Sequence, residues 1–313
     1  MTTVLITHPA FVNHNTGPYH PERPDRMRAI DKALAQDRFK DLVRREAPLR
    51  DDDEQYIIQL HGADHFERVR SIAGIQTGLT HIDGDTVVSP GTWEAARRAI
   101  GAGLDAVDLV MSKDASNAFC QVRPPGHHAE SRRAMGFCLF NNIAVAAQYA
   151  KTRHGAERVA VIDFDVHHGN GTQEIFWTNK NAFYGSTHQM PLFPGTGALN
   201  ETGAGNIFNA PLHEGDGRAQ FEAAFRERIL GPLHNFAPDI VFISAGFDAH
   251  QDDPLGGLRL VEVDFAWATE QLTDVARSHA NGRVVSMLEG GYNLMGLAKS
   301  AAEHVNELMQ AGS

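Results

Sequence analysis

The chain has 313 residues, 42% hydrophobic and 21% charged, the composition of an ordinary globular protein with room for one or two domains. A formal charge of −11 argues against a broad phosphate-binding face, so no nucleic-acid partner is expected, and no apolar run reaches the ~20 residues of a membrane span. No basic-then-apolar leader opens the chain. Its two cysteines, Cys120 and Cys138, cannot staple a fold of this size and fit a reducing compartment.

In chain order, an apolar run at 4–7 predicts a first strand and 24–35 a helix. The acidic run Asp51-Asp52-Asp53-Glu54 reads as a solvated loop or helix start. A helix is predicted over 92–111, a strand over 118–122 and a helix over 142–153. Strands at 159–164 and 182–186 follow, then a helix at 220–235, a strand at 240–245, a helix at 263–279, a strand at 284–288 and a helix at 294–309. This alternation predicts an α/β fold in one domain over 1–313, with a mainly parallel central sheet flanked by helices on both faces. Functional residues in such sheets gather at the carboxyl ends of strands. Four strands are followed there by Gly-, His- and Asp-rich segments: RPPGHH, DVHHGNG, GFDAHQDDP and EGGYN.

The strand at 159–164 should be apolar throughout, yet Asp163 and Asp165 interrupt its end and His167 follows. Residues two apart in extended chain share a face, so Asp165 and His167 are placed to grip one ion. Buried carboxylates are costly unless paired or metal-bound. The strand at 240–245 supplies a third carboxylate, from Asp248, Asp252 or Asp253. Two Asp and one His form a three-ligand site with room for water and substrate. Such a site suits zinc and also admits Fe²⁺, Co²⁺ or Mn²⁺.

His127 and His128 sit at the tip of a rigid Pro-Pro-Gly turn, suited to serve as a base and an electrostatic partner. Asp163 and Asn170 are candidate acceptors that fix their tautomers. Tyr292, after two glycines, is placed to donate its phenol to a developing oxyanion.

These residues resemble the zinc-dependent histone deacetylases, especially their class II-like branch and the bacterial histone-deacetylase-like amidohydrolases. The matching stretches are 20–24, 123–128, 136–142, 163–171, 193–197, 246–257 and 289–293, in the family's order. The resemblance implies the arginase/deacetylase fold. It assigns Asp165, His167 and Asp253 as zinc ligands, setting Asp248 and Asp252 aside, and pairs Asp163 with His127. Asn170 stands where class I members carry aspartate. Phe137 and Phe193 are expected as walls of an acyl-lysine tunnel with Gly136 at its floor. A structural K⁺ is expected beside Asp163, Asp165, His167 and Ser186.

The implied reaction is hydrolysis of N-acetyl-lysine or a related acylated amine, with Tyr292 holding the oxyanion and a tandem histidine, preferably His128, moving the proton. Acetylpolyamine relatives can place a glutamate at the tunnel mouth. Counting on from Asp253 puts Leu260 there, which favours acetyl-lysine peptides or proteins. Asp83 or Asp85 is a candidate acceptor for the substrate backbone. A two-Mn²⁺ ureohydrolase and a non-catalytic acyl-lysine binder are the competing readings, and both fit the His127-His128 pair and Tyr292 less well. A bacterial cytoplasmic enzyme, with self-association open, is the expected setting.

Overall fold

The computed structural model describes residues 2–312. The chain opens with β1 (Thr3–Thr7), α1 (Asp25–Leu34), β2 (Val43–Glu46), α2 (Asp53–His61) and α3 (Ala63–Ala73). A short hairpin of β3 (Thr80–His81) and β4 (Val87–Val88) precedes α4 (Thr92–Ser112) and β5 (Asn117–Cys120). Next come α5 (Asn142–His154), β6 (Val159–Asp163), α6 (Asn170–Phe176), β7 (Ala182–Gln189) and β8 (Ile207–Leu212). The last part holds α7 (Arg218–Ala224), α8 (Gly231–Phe236), β9 (Ile240–Ala245), α9 (Glu262–His279), β10 (Val284–Leu288) and α10 (Leu294–Ala311).

Eight strands form one sheet in the order β2-β1-β5-β10-β9-β6-β7-β8, and every neighbouring pair is parallel. The central strands are wholly buried, as their continuous Val, Ile, Ala and Phe content requires of a sheet covered on both faces. The four strands that carry the polar motifs, β5, β10, β9 and β6, are adjacent. Their carboxyl ends therefore deliver RPPGHH, EGGYN, GFDAH and DVHHG to one place.

The predicted strands are all present, and the sheet gains two edges. In β2, Val-Arg-Arg-Glu is exposed at every position, and an edge strand so polar leaves no apolar pattern to read. In β8, Pro211 and Asn209 break the alternation, and Pro is confined to edges because it cannot donate to the ladder. The helix predicted over 220–235 is three pieces. A wide π-type turn at Phe225–Leu230 joins α7 to α8, next to Pro232, which cannot supply the usual helical N–H. The acidic run does start a helix, but Asp53 is buried rather than solvated and pairs with Arg97 at 2.7 Å. Among the described residues no helix is long and apolar enough to cross a membrane.

Candidate active site

The end of β6 turns its polar residues into the buried interior. Asp165 Oδ1 lies 3.1 Å from His167 Nδ1, and Asp248 Oδ2 lies 3.0 Å from the same nitrogen. Ligand atoms of Asp165, His167 and Asp248 all lie within 4.8 Å of one another. Backbone N–H groups hold both carboxylates in place. His167 and Gly290 donate to Asp165, and Val166 donates to Asp248. Burial and the Asp165 carboxylate raise Asp248 to about 7, while His167 is raised to about 10 because Asp248 and Asp165 outweigh its burial. Two buried acids sharing one imidazole form a donor set that a divalent cation satisfies. Glycines make the packing feasible: a Cβ on Gly290 would collide with Asp248 and Asp165, and one on Gly246 with Asp165.

This geometry corrects the expected ligand set. Asp253 does not join Asp165 and His167. Its Oδ2 instead accepts the backbone N–H groups of Tyr292 (2.6 Å) and Asn293 (3.0 Å), and its Oδ1 accepts that of Leu255 (3.0 Å).

The tandem histidines lie above the cluster, ring centroids 4.0 Å apart. His127 Nδ1 donates to Asp163 Oδ2 (2.9 Å), which also accepts from the Tyr184 hydroxyl (3.1 Å). His128 Nδ1 faces Asn170 Oδ1 at 2.8 Å. The Asn170 amide is oriented by Glu130, whose carboxylate accepts from Nδ2 (2.9 Å). An amide oxygen accepts only, so His128 carries its proton on Nδ1 and keeps a lone pair on Nε2. Burial opposes a charge on His127, but the carboxylates of Asp163, Asp165 and Glu289 outweigh it and hold this imidazole well above its ordinary value. Burial and the neighbouring His127 and His167 push His128 well below.

A cavity of about 290 Å³ opens over these groups, lined by Asp85, His128, Gly136, Phe137, His167, Leu192, Phe193, Leu255 and Tyr292. Phe137 and Tyr292 meet edge to face at 5.9 Å, and Phe193 packs edge-on to His128 at 5.1 Å. Gly136 lies against His128, where a Cβ would meet its ring carbons, and Phe137 itself holds a left-handed φ of 69°. Of the two candidate rim acids, Asp83 Oδ1 is taken up by the N–H groups of Asp85 and Thr86, leaving Asp85 on the cavity wall. The Tyr292 phenol is pushed well up by burial and the Asp248 carboxylate, which keeps it a proton donor.

Leu260, expected at the mouth, is instead fully buried and bonded through its backbone to Gln251 and Ala249. The leucines on the cavity wall are Leu192 and Leu255, the latter two residues after Asp253. Ser186 sits beside Asp163 in the β6–β7 register, its Oγ 2.9 Å from His188 Nδ1.

Sequence reasoning missed several supports. Glu22 is buried between Arg123 and Arg26 (2.9 Å), and Arg123 also binds the carbonyls of Phe11 and His14. Burial would raise the Glu22 carboxyl, but Arg123 and Arg26 hold it far below its ordinary range. Arg26 in turn grips the carbonyls of Glu289 and Gly291, on either side of the Gly290 turn. Glu289 accepts from the N–H groups of Gly126 (2.7 Å) and His127 (3.1 Å), tying the histidine loop to the tyrosine loop. The signal for Glu289 was a charged residue directly after an apolar strand.

Residues 20–308 match the histone deacetylase domain family. Histone deacetylase 10, chloroplastic, of rice (Oryza sativa subsp. japonica) is 43% identical over 237 residues, covering 72% of this chain and 54% of the rice protein. A histone deacetylase-like amidohydrolase of Pseudomonas aeruginosa is 38% identical over 88% of this chain and 73% of its own length. The crystal structure of the HDA15 HD domain superposes with a TM-score of 0.92 at 36% identity, covering 99% of this chain and 88% of that one. The chain belongs to the histone deacetylase family and is a hydrolase acting on amides.

Proposed function

We propose that the protein removes acetyl groups from N-acetyl-lysine side chains, with zinc held by Asp165, His167 and Asp248. The observation that carries this reading is the convergence of those three ligand atoms at a cavity that also presents Tyr292 and His128. Fe²⁺ or Co²⁺ suits the same oxygen and nitrogen donors. A zinc ion there supplies Lewis acidity to the amide carbonyl and lowers the pKa of a water molecule.

The remaining chemistry belongs to side chains. His128, neutral and with Nε2 free, takes the proton of the attacking water and returns it to the leaving amine. His127, held cationic by Asp163, lends positive charge without leaving its place. The Tyr292 phenol donates to the oxygen that gains charge. Phe137, Phe193, Leu192 and Leu255 enclose an aliphatic chain and keep water from it, and Asp85 at the wall accepts from the substrate backbone. A structural K⁺ beside Asp163 and Ser186 belongs to the same reading.

Asp83 and Asp85 give acetylpolyamines a second reading, because paired acids near the cavity attract a distant ammonium. Zinc-reconstituted protein assayed against an acetyl-lysine peptide, acetylputrescine and acetylspermidine separates the two. The peptide is expected to win in kcat/KM by about tenfold or more. Preference for acetylspermidine would overturn the lysine assignment, and no turnover of any amide would overturn the reaction.

A further inference from the structure

We infer that His20 is a positioning residue for the substrate, holding Asp85 in register with the Phe137 wall of the cavity. The inference deepens the proposed function and rests on Asp85 as the acceptor for the substrate backbone. Asp85 lies in the turn between β3 and β4, which pair over two residues each. A ribbon that short has little stability of its own. Asp83 Oδ1 accepts the N–H groups of Asp85 (3.1 Å) and Thr86 (2.7 Å), which shapes the turn but does not tie it to the rest of the molecule. Its place beside the cavity is therefore set by contacts from other parts of the chain.

Those contacts converge on one half-buried imidazole. His20 Nε2 lies 3.0 Å from the Asp85 carbonyl oxygen, which can only accept, so Nε2 carries the proton. Nδ1 then keeps a lone pair and accepts the Glu22 N–H at 3.1 Å. The same ring meets Phe137 edge to face at 4.7 Å. The Phe137 N–H in turn donates to Thr86 Oγ1 at 3.1 Å, one residue past Asp85. His20 thus binds the acceptor and the wall together. It is itself anchored, because Glu22 is buried and paired with Arg123 and Arg26. The bond that orients His128 runs through Asn170 instead. Losing the His20 donor therefore weakens the hold on a substrate backbone and spares the proton transfer.

The test uses the zinc-reconstituted protein and two substrates, an acetyl-lysine peptide and N-pentylacetamide, which is the acylated side chain without a backbone. His20→Phe keeps a ring against Phe137 and loses the donor. His20→Gln loses the ring and keeps a donor near the position of Nε2. His20→Phe is expected to raise KM for the peptide about fivefold or more, with kcat within about twofold. Its kcat/KM for N-pentylacetamide should stay within about twofold of the parent. His20→Gln should recover most of the peptide KM. In an Asp85→Ala background His20→Phe should add less than about twofold, since both changes act through one contact. Equal losses on both substrates, an unchanged peptide KM, or losses that multiply with Asp85→Ala would overturn the inference. Amide hydrogen exchange at Asp85 and Thr86 should be about tenfold faster in His20→Phe, and unchanged exchange would overturn it as well. If the parent hydrolyses neither substrate, the functional reading fails on its own, while exchange still decides whether His20 holds Asp85.

Discussion

The Asn170 side chain decides which tandem histidine can take a proton. Glu130 fixes the amide, the amide fixes the tautomer of His128, and Nε2 is left as the base. Across the cavity Tyr292 supplies the opposite function, a proton donor whose acidity is suppressed by burial. Tyr292→Phe removes one oxyanion donor and should cost ~10²–10³ in kcat while metal content and thermal unfolding stay as in the parent. An unaltered kcat would remove Tyr292 from the reaction. The histidines, Asp163, Asn170 and Tyr292 could be read from the chain because each is an unexpected polar residue beside an apolar strand or Gly turn. The third acid could not be read from spacing alone, because Asp248, Asp252 and Asp253 share one loop.

At the scale of elements, the site is a property of four neighbouring strands, β5, β10, β9 and β6, whose ends meet because the sheet is parallel. These strands were legible in the sequence, since a fully buried strand is a short apolar run and little else. The edges β2 and β8 were not, because their exposed or Pro-interrupted residues carry no such signature. The tyrosine loop depends on the helix after it. Asn293 caps α10 by accepting from Met295 and Gly296, and Leu297, Ala301, Val305 and Leu308 bury that helix against the sheet. Asn293→Ala should lower stability by ~1 kcal/mol, read as a lower denaturant midpoint at unchanged slope. No shift in midpoint would mean that the cap does not hold this helix.

At the scale of the whole molecule, buried histidines set the acid limit. Burial holds His14, His61 and His304 down to about 3 and His188 to about 4. Unfolded, each titrates near 6.5, so below that value the unfolded chain binds protons that the fold refuses, and stability falls as pH falls toward 4. Asp248 and Glu289, both raised to about 7, act the other way, since the fold binds their protons first and loses that contribution as pH rises. The histidines outnumber them. Melting temperature should therefore drop from pH 6.5 to pH 4.5, with net proton uptake on unfolding. A flat or rising profile over that interval would contradict this assignment of neutral histidines.

The most direct test is the metal content of the purified, zinc-reconstituted protein beside its Asp165→Asn, Asp248→Asn and Asp253→Asn variants, by elemental analysis after exhaustive dialysis. The parent and Asp253→Asn should each retain about one zinc per chain, and Asp165→Asn and Asp248→Asn should retain little. Zinc lost from Asp253→Asn and kept by Asp248→Asn would contradict the site described here.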